Sequence, residues 1–313
     1  MNLWIFLFNK MTKTILLLLI SNLIFSQETP SENFFWEYNY NINIGIEGII
    51  GVKNCYIRRD ASVNSQLVDS LQIGHKIKVI KNTNENLNIN GLNLSWVEIE
   101  YKKNNQIKTG FLWKGFIAVG STTNGNTTFL TTINSKYRKK IQEKDTEYDA
   151  EFYRISVKAI DNKNEIIGEK SFAKQLSESN FFENSTVGNW GLKNITDVYR
   201  ISFSGQACGI PTYYFYFGWN GKSFQLFPEK YNVGDAAVFY HNEEFIFPNE
   251  KGGLANTIVK IITEAENSDE NSDDDIESYT FLVTKSKEYY SWDGKNFKLI
   301  KTIKMKPYLE KED

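Results

Sequence analysis

The chain has 313 residues, of which 41% are hydrophobic and 15% aromatic, and a formal net charge of −2. That length exceeds one average domain, and that apolar content excludes a mostly disordered chain. So balanced a charge also excludes a protein drawn to nucleic acid by its bulk field.

Residues 1–26 read as a signal peptide. Lys10 and Lys13 precede an apolar run from Ile15 to Phe25, and small Ser26 stands before polar Gln27. This is the three-part layout of a cleaved secretory leader. The run is short of the roughly 20 residues that a spanning helix needs. The expectation is therefore an exported chain, periplasmic or extracellular, with no stable membrane span after cleavage; an uncleaved anchor is the alternative. Residues 27–48 form a lead-in whose "NFFWEYNYNINI" is aromatic enough to pack onto a folded unit.

From there on, short alternating runs are punctuated by Gly and Asn: "KIKVI", "SWVEIEY", "EFYRISVKAI", "VYRISFSG", "TYYFYFGW", "TIVKIIT". Such spacing predicts a mainly β protein. In "WVEIEY", Val97, Ile99 and Tyr101 share one face, which enters a core, while Trp96, Glu98 and Glu100 share the other, with Trp96 near the rim. Cys55 and Cys208 are the only cysteines. One long-range disulfide is open to them in an oxidising compartment, but two buried thiols acting as small hydrophobes is the favoured reading.

Cys55, Tyr56, Ile57 and Arg58 open a pattern that continues through Ala61 and Ser62, Leu67 to Leu71, and Gly74. It goes on to "WVEI" at 96–99 and "GFL" at 110–112. In order and spacing this stretch resembles the bacterial SH3 (SH3b) family, whose pattern runs "LNVRSGPS", "VIGTLKKGTKVTV", "WxKV" and "GYV". The family's "SGPS" turn is "RDAS" here, without Gly or Pro, so the loop takes another shape. The resemblance implies a small SH3-like barrel over residues 49–121, acting as a non-catalytic binding module for peptidoglycan or an envelope protein. It also implies a ligand surface of Tyr56, Arg58, Arg59, Asp60, Trp96 and Trp113. Ring faces stack on sugars or prolines, and guanidinium groups pair with carboxylates. The plainer alternative is barrel packing for the aromatics and solvation for the arginines.

Residues 122–127, within the Gly/Asn/Thr-rich "GSTTNGNTT", read as a linker. A second, larger antiparallel β domain then spans 128–305, as a sandwich or partial propeller, before a tail at 306–313. Within it "NSKYRKKIQEKD" suggests a short polar helix, and "KSFAKQLSESNFFEN" a helical turn or loop. The acidic run at 264–278 lacks the Asp/Asn alternation and Gly of a calcium loop. No metal or cofactor is expected.

Two stretches repeat a pattern, "FGWNGKSFQLF" at 217–227 and "YSWDGKNFKLI" at 290–300. Asn-Gly and Asp-Gly predict two-residue type I′ hairpins. These would set Phe215, Phe217, Trp219, Phe224 and Leu226 on one face, and Tyr290, Trp292, Phe297 and Leu299 on one face of the second copy. The segment 194–227 loosely resembles repeat units of exported β-propeller-like proteins. For catalysis the one candidate is Cys208 as nucleophile with His241 as base, the arrangement of a cell-wall hydrolase. Its context is wrong, because Cys208 sits in a Gly/Pro turn rather than at a helix start. The expectation is a protein that is not an enzyme, with a purely structural envelope protein as a further alternative.

Overall fold

A computed structural model describes residues 44–175, 177–205, 207–268 and 279–312. The expected signal peptide, most of the lead-in and the acidic run from 269 to 278 lie outside these residues. Within them the protein is almost all β: twenty strands and one turn of 3-10 helix, Lys114–Phe116.

Six strands make a curled half-barrel. They are β1 (Glu47–Ile49), β2 (Asn54–Arg58), β3 (Leu67–Gln72), β4 (Lys76–Ile89), β5 (Leu92–Lys103) and β6 (Gln106–Trp113). Their order is β1-β4-β5-β6-β2-β3. The alternation expected of β5 holds, since Val97, Ile99 and Tyr101 are buried. The long β4–β5 hairpin turns at Asn90 and Gly91, with φ of 53° and 82°, the left-handed pair of a type I′ turn. Its tip leaves the barrel and touches the next sheet. Lys136 N–H donates to Asn90 O at 3.0 Å.

That next sheet is a four-stranded meander of β7 (Gly120–Asn124), β8 (Thr127–Glu143), β9 (Thr146–Ile160) and β10 (Ile166–Gln175). The expected linker is therefore a hairpin, closed by the pair Asn124–Thr127. The expected polar helix is strand too. Lys136 and Arg138 of β8 pair with Glu151 of β9 at 2.7 and 3.0 Å, and Lys140 pairs with Glu147 at 2.6 Å. Charge pairs across the ladder support a sequence of weak strand propensity. "KSFAKQLSESNFFEN" likewise supplies the end of β10 and the first strand of the third sheet.

Ten strands form that third sheet: β11 (Phe181–Thr186), β12 (Asp197–Ser204), β13 (Thr212–Trp219), β14 (Phe224–Leu226) and β15 (Lys230–Asp235), followed by β16 (Phe239–Ile246), β17 (Thr257–Asn267), β18 (Tyr279–Trp292), β19 (Phe297–Lys304) and β20 (Tyr308–Glu312). The path is β11-β12-β13-β15-β16-β17-β18-β19, with β14 beside β13 and β20 beside β18. The expected tail is thus largely a strand. Both near-repeats lie in this one sheet rather than in separate propeller blades.

The near-repeat hairpins differ from expectation in their turns. Trp219 pairs with Phe224, and Trp292 with Phe297, so each loop has four residues rather than two. Asn220 Oδ1 accepts the N–H groups of Lys222 and Ser223 at 2.9 and 2.8 Å. Asp293 Oδ1 accepts those of Lys295 and Asn296, both at 2.7 Å. Only the glycines, Gly221 and Gly294, adopt positive φ. These are side-chain-capped turns in which Asn and Asp act through their oxygens. Phe217, Trp219 and Phe224 are buried as expected; Leu226 and Leu299 are exposed.

One apolar core crosses all three sheets, from Ile50, Val97 and Leu112 through Phe129 and Ile155 to Phe217 and Phe224. Phe129 stacks on Tyr199 with centroids 5.4 Å apart, and Phe172 meets Phe217 at 5.3 Å. β13 is covered on both faces, because Tyr216 enters a second cluster with Phe247, Ile258 and Trp292.

Candidate functional site

Strand β2 sends Cys55 and Ile57 inward and Tyr56 outward, where it is 54% exposed. The loop that follows is held by its own polar groups. Arg58 Nη1 donates to Ser65 O at 2.7 Å. Asp60 N–H donates to Ser65 Oγ at 2.9 Å, and that hydroxyl donates back to Asp60 Oδ2 at 2.8 Å. Arg59 N–H reaches Gln66 O at 2.9 Å. Side-chain bonds thus stiffen a turn that has neither Gly nor Pro. Arg59 and Asp60 remain exposed on this frame, and exposed Val63 and Leu67 lie beside them.

The structure separates the two tryptophans from that surface. Trp96 and Trp113 are only 4% and 3% exposed, which corrects their expected place in a ligand face. Trp113 Nε1 donates to Leu87 O at 2.9 Å and to Leu94 O at 3.0 Å, tying together both strands of the β4–β5 hairpin. Trp96 does share a face with Glu98 and Glu100, but it belongs to the buried cluster with Leu92, Leu94 and Tyr153.

Both cysteines are free thiols, Cys55 buried and Cys208 exposed, so neither the disulfide nor a pair of buried thiols describes them. Burial pushes the Cys55 thiol up to about 12, which leaves it inert as a nucleophile. His241 lies within β16. Its Nε2 faces Glu243 Oε1 at 3.1 Å and its Nδ1 faces Glu264 Oε1 at 3.2 Å. The ring stacks on Tyr231 at 4.2 Å and 6°. With a carboxylate at each nitrogen, the imidazole has no free position from which to serve Cys208 as a base.

Around His241 lies a polar interior that the sequence reading missed. β15 pairs with β16 only from Val233 to Asp235. Where the strands then part, Tyr231 N–H donates to Glu243 Oε2 and Glu243 N–H donates to Asn232 Oδ1, both at 2.9 Å. Side chains here take over the ladder. Glu243 is 3% exposed and faces Lys260 Nζ at 2.7 Å; Lys260 also donates to Glu229 O at 2.9 Å. The one signal was a lysine inside the apolar strand "TIVKIIT", since a charge so placed needs a buried partner.

Two more lysines are set against rings. Lys230 Nζ lies 4.0 Å from the Tyr214 centroid. Burial lowers its ammonium to about 8, against the opposing pull of Glu243 and Glu244. Lys174, 5% exposed, sits 5.1 Å from Phe203 and 5.6 Å from Tyr213. Burial lowers it to about 8 as well. Among the described residues no group of His, Cys, Asp and Glu is placed to hold a metal ion, and no helix is long and apolar enough to cross a membrane. No protein-family model, curated protein or solved structure matches the chain.

Proposed function

We propose that the protein is an exported, non-catalytic binding protein whose SH3b-like module recognises cell-wall material, peptidoglycan first and an envelope protein second. The reading rests on the β2–β3 loop. Its backbone is pinned by Arg58, Asp60 and Ser65, while Tyr56, Arg59 and Asp60 stay exposed. A surface already ordered before binding loses little entropy when a ligand arrives. Tyr56 offers a ring face to a sugar or a proline, and Arg59 offers a guanidinium to a carboxylate. The engagement of both His241 nitrogens favours binding over a Cys208/His241 hydrolase.

The test is co-sedimentation of the chain from Gln27 onward, which keeps every described residue, with purified peptidoglycan. It runs beside a Tyr56→Ala, Arg59→Ala variant. Binding by the parent and a loss of about tenfold or more in the variant is the expected result. Equal binding by both would move the site off this loop. No binding by either would leave the cell-wall reading without support and make an envelope protein the partner to pursue.

A further inference from the structure

The free rim of the third sheet carries a surface that this reading leaves unused. From Gly294 to Leu309 the chain holds Lys295, Lys298, Lys301, Lys304 and Lys306 and no acidic residue. All five lysines are exposed. Among the described residues no salt bridge uses them. Between them Leu299, Ile300 and Met305 are 46%, 58% and 40% exposed, and Leu309, just beyond, is 66% exposed.

The backbone arranges this mixture. Among the described residues β19 pairs with β18 on one side only, and the register shifts at Tyr289/Tyr290, so Ile300 is an extra, bulged residue. The bulge sets Lys298, opposite Ser291, and Lys301, opposite Tyr289, on one face, with Lys304, opposite Ser286, on the other. Lysines and a bulge on an edge strand discourage pairing with a second copy of the same edge. A soluble polyanion would satisfy the ammonium groups and leave the aliphatic side chains in water. A bilayer of anionic lipid satisfies both, as lysines meet headgroup phosphates and aliphatic side chains enter the headgroup–acyl boundary.

We propose that this rim lays the protein against an anionic lipid surface. The sheet meets the surface edge-on, so Lys298 and Lys301 from one face and Lys304 from the other, with Lys306 beyond the strand, supply the attraction, and Ile300 and Leu309 supply the shallow insertion. Tyr308, over whose ring Lys285 sits at 5.3 Å and whose hydroxyl donates to Glu310 Oε2 at 3.2 Å, ends the basic stretch. Each lysine near such a surface strengthens binding by about fivefold.

Vesicle flotation tests this with the chain from Gln27 onward. Vesicles of phosphatidylglycerol with phosphatidylcholine are compared with phosphatidylcholine alone. The expected result is salt-sensitive flotation with the anionic vesicles only. A Lys298→Gln, Lys301→Gln, Lys304→Gln variant should lose about a hundredfold in affinity, and an Ile300→Asn, Leu309→Asn variant should also weaken. The proposal is overturned by absent flotation, by equal flotation with both vesicle types, or by a lysine variant that binds like the parent. It is equally overturned if the aliphatic variant binds unchanged while heparin captures the protein, the behaviour of a soluble-polyanion site.

Discussion

The Lys260 ammonium lies 2.7 Å from the Glu243 carboxylate, with side-chain exposures of 10% and 3%. Their pairing fills the gap where β15 and β16 diverge. Lys260→Met takes the nearest cation from a buried carboxylate that keeps His241 and the Tyr231 N–H as partners, so it should cost about 1.5–3 kcal/mol. A Glu243→Leu, Lys260→Met variant should lose less than the sum of the two single changes, by about 1–3 kcal/mol. Urea midpoints of the four proteins measure the coupling, and strictly additive losses would refute it.

Lys174 makes a prediction with a definite sign. Its folded value near 8 lies below the ordinary lysine value, so the folded state binds fewer protons between about pH 8 and pH 10.4. Stability attributable to this residue therefore rises with pH across that window. At neutral pH the charged amine is a burden, and Lys174→Met should stabilise the fold by about 1–3 kcal/mol. The gain should shrink in melts near pH 10. A gain that stayed constant with pH would assign it to packing rather than to charge.

Gly91 stands at the contact between half-barrel and meander. It has a φ of 82°, and an added Cβ would lie 2.2 Å from Lys136 O. Gly91→Ala should destabilise by about 1–3 kcal/mol. Gly125→Ala, in the β7–β8 turn with nothing near its Cβ, should cost less. Because one core joins the three sheets, calorimetry should show one transition that Gly91→Ala shifts as a whole. Two transitions, only one of them shifted, would mean that the barrel melts by itself.

The thiols should react in sequence. Cys208 is exposed and Cys55 buried, so an aromatic disulfide reagent should titrate Cys208 in the native protein and Cys55 only after denaturant is added. Native labelling of both, or of neither, would contradict these placements.

What the sequence made legible was periodicity. Val97, Ile99 and Tyr101 declare an inward face by alternation alone, and the two Trp-Asn/Asp-Gly-Lys stretches announce matching hairpins. Their turns were misjudged because Asn220 and Asp293 use side-chain oxygens where the rule for Asn-Gly invokes the backbone. β8 was misjudged because Lys136 and Arg138 find their acid, Glu151, only across a turn. The tryptophans show the wider difficulty. Alternation sets which way Trp96 points, but its burial belongs to a core whose members run on to Phe224. The exposed loop at Arg59 and Asp60 could be anticipated from its polarity; the Glu243–Lys260 pair depends on strand register, which no local pattern contains.

The shared core also sets a timetable. The half-barrel strands are complete by Trp113, yet their cluster closes only when Phe217 and Phe224 arrive, roughly a hundred residues later. At ribosomal speeds of about 5–20 residues per second, that interval lasts some 5–20 s. Through it the emerging chain shows unsatisfied apolar strands to its surroundings, so a holdase that escorts nascent polypeptides would find here a long window of engagement.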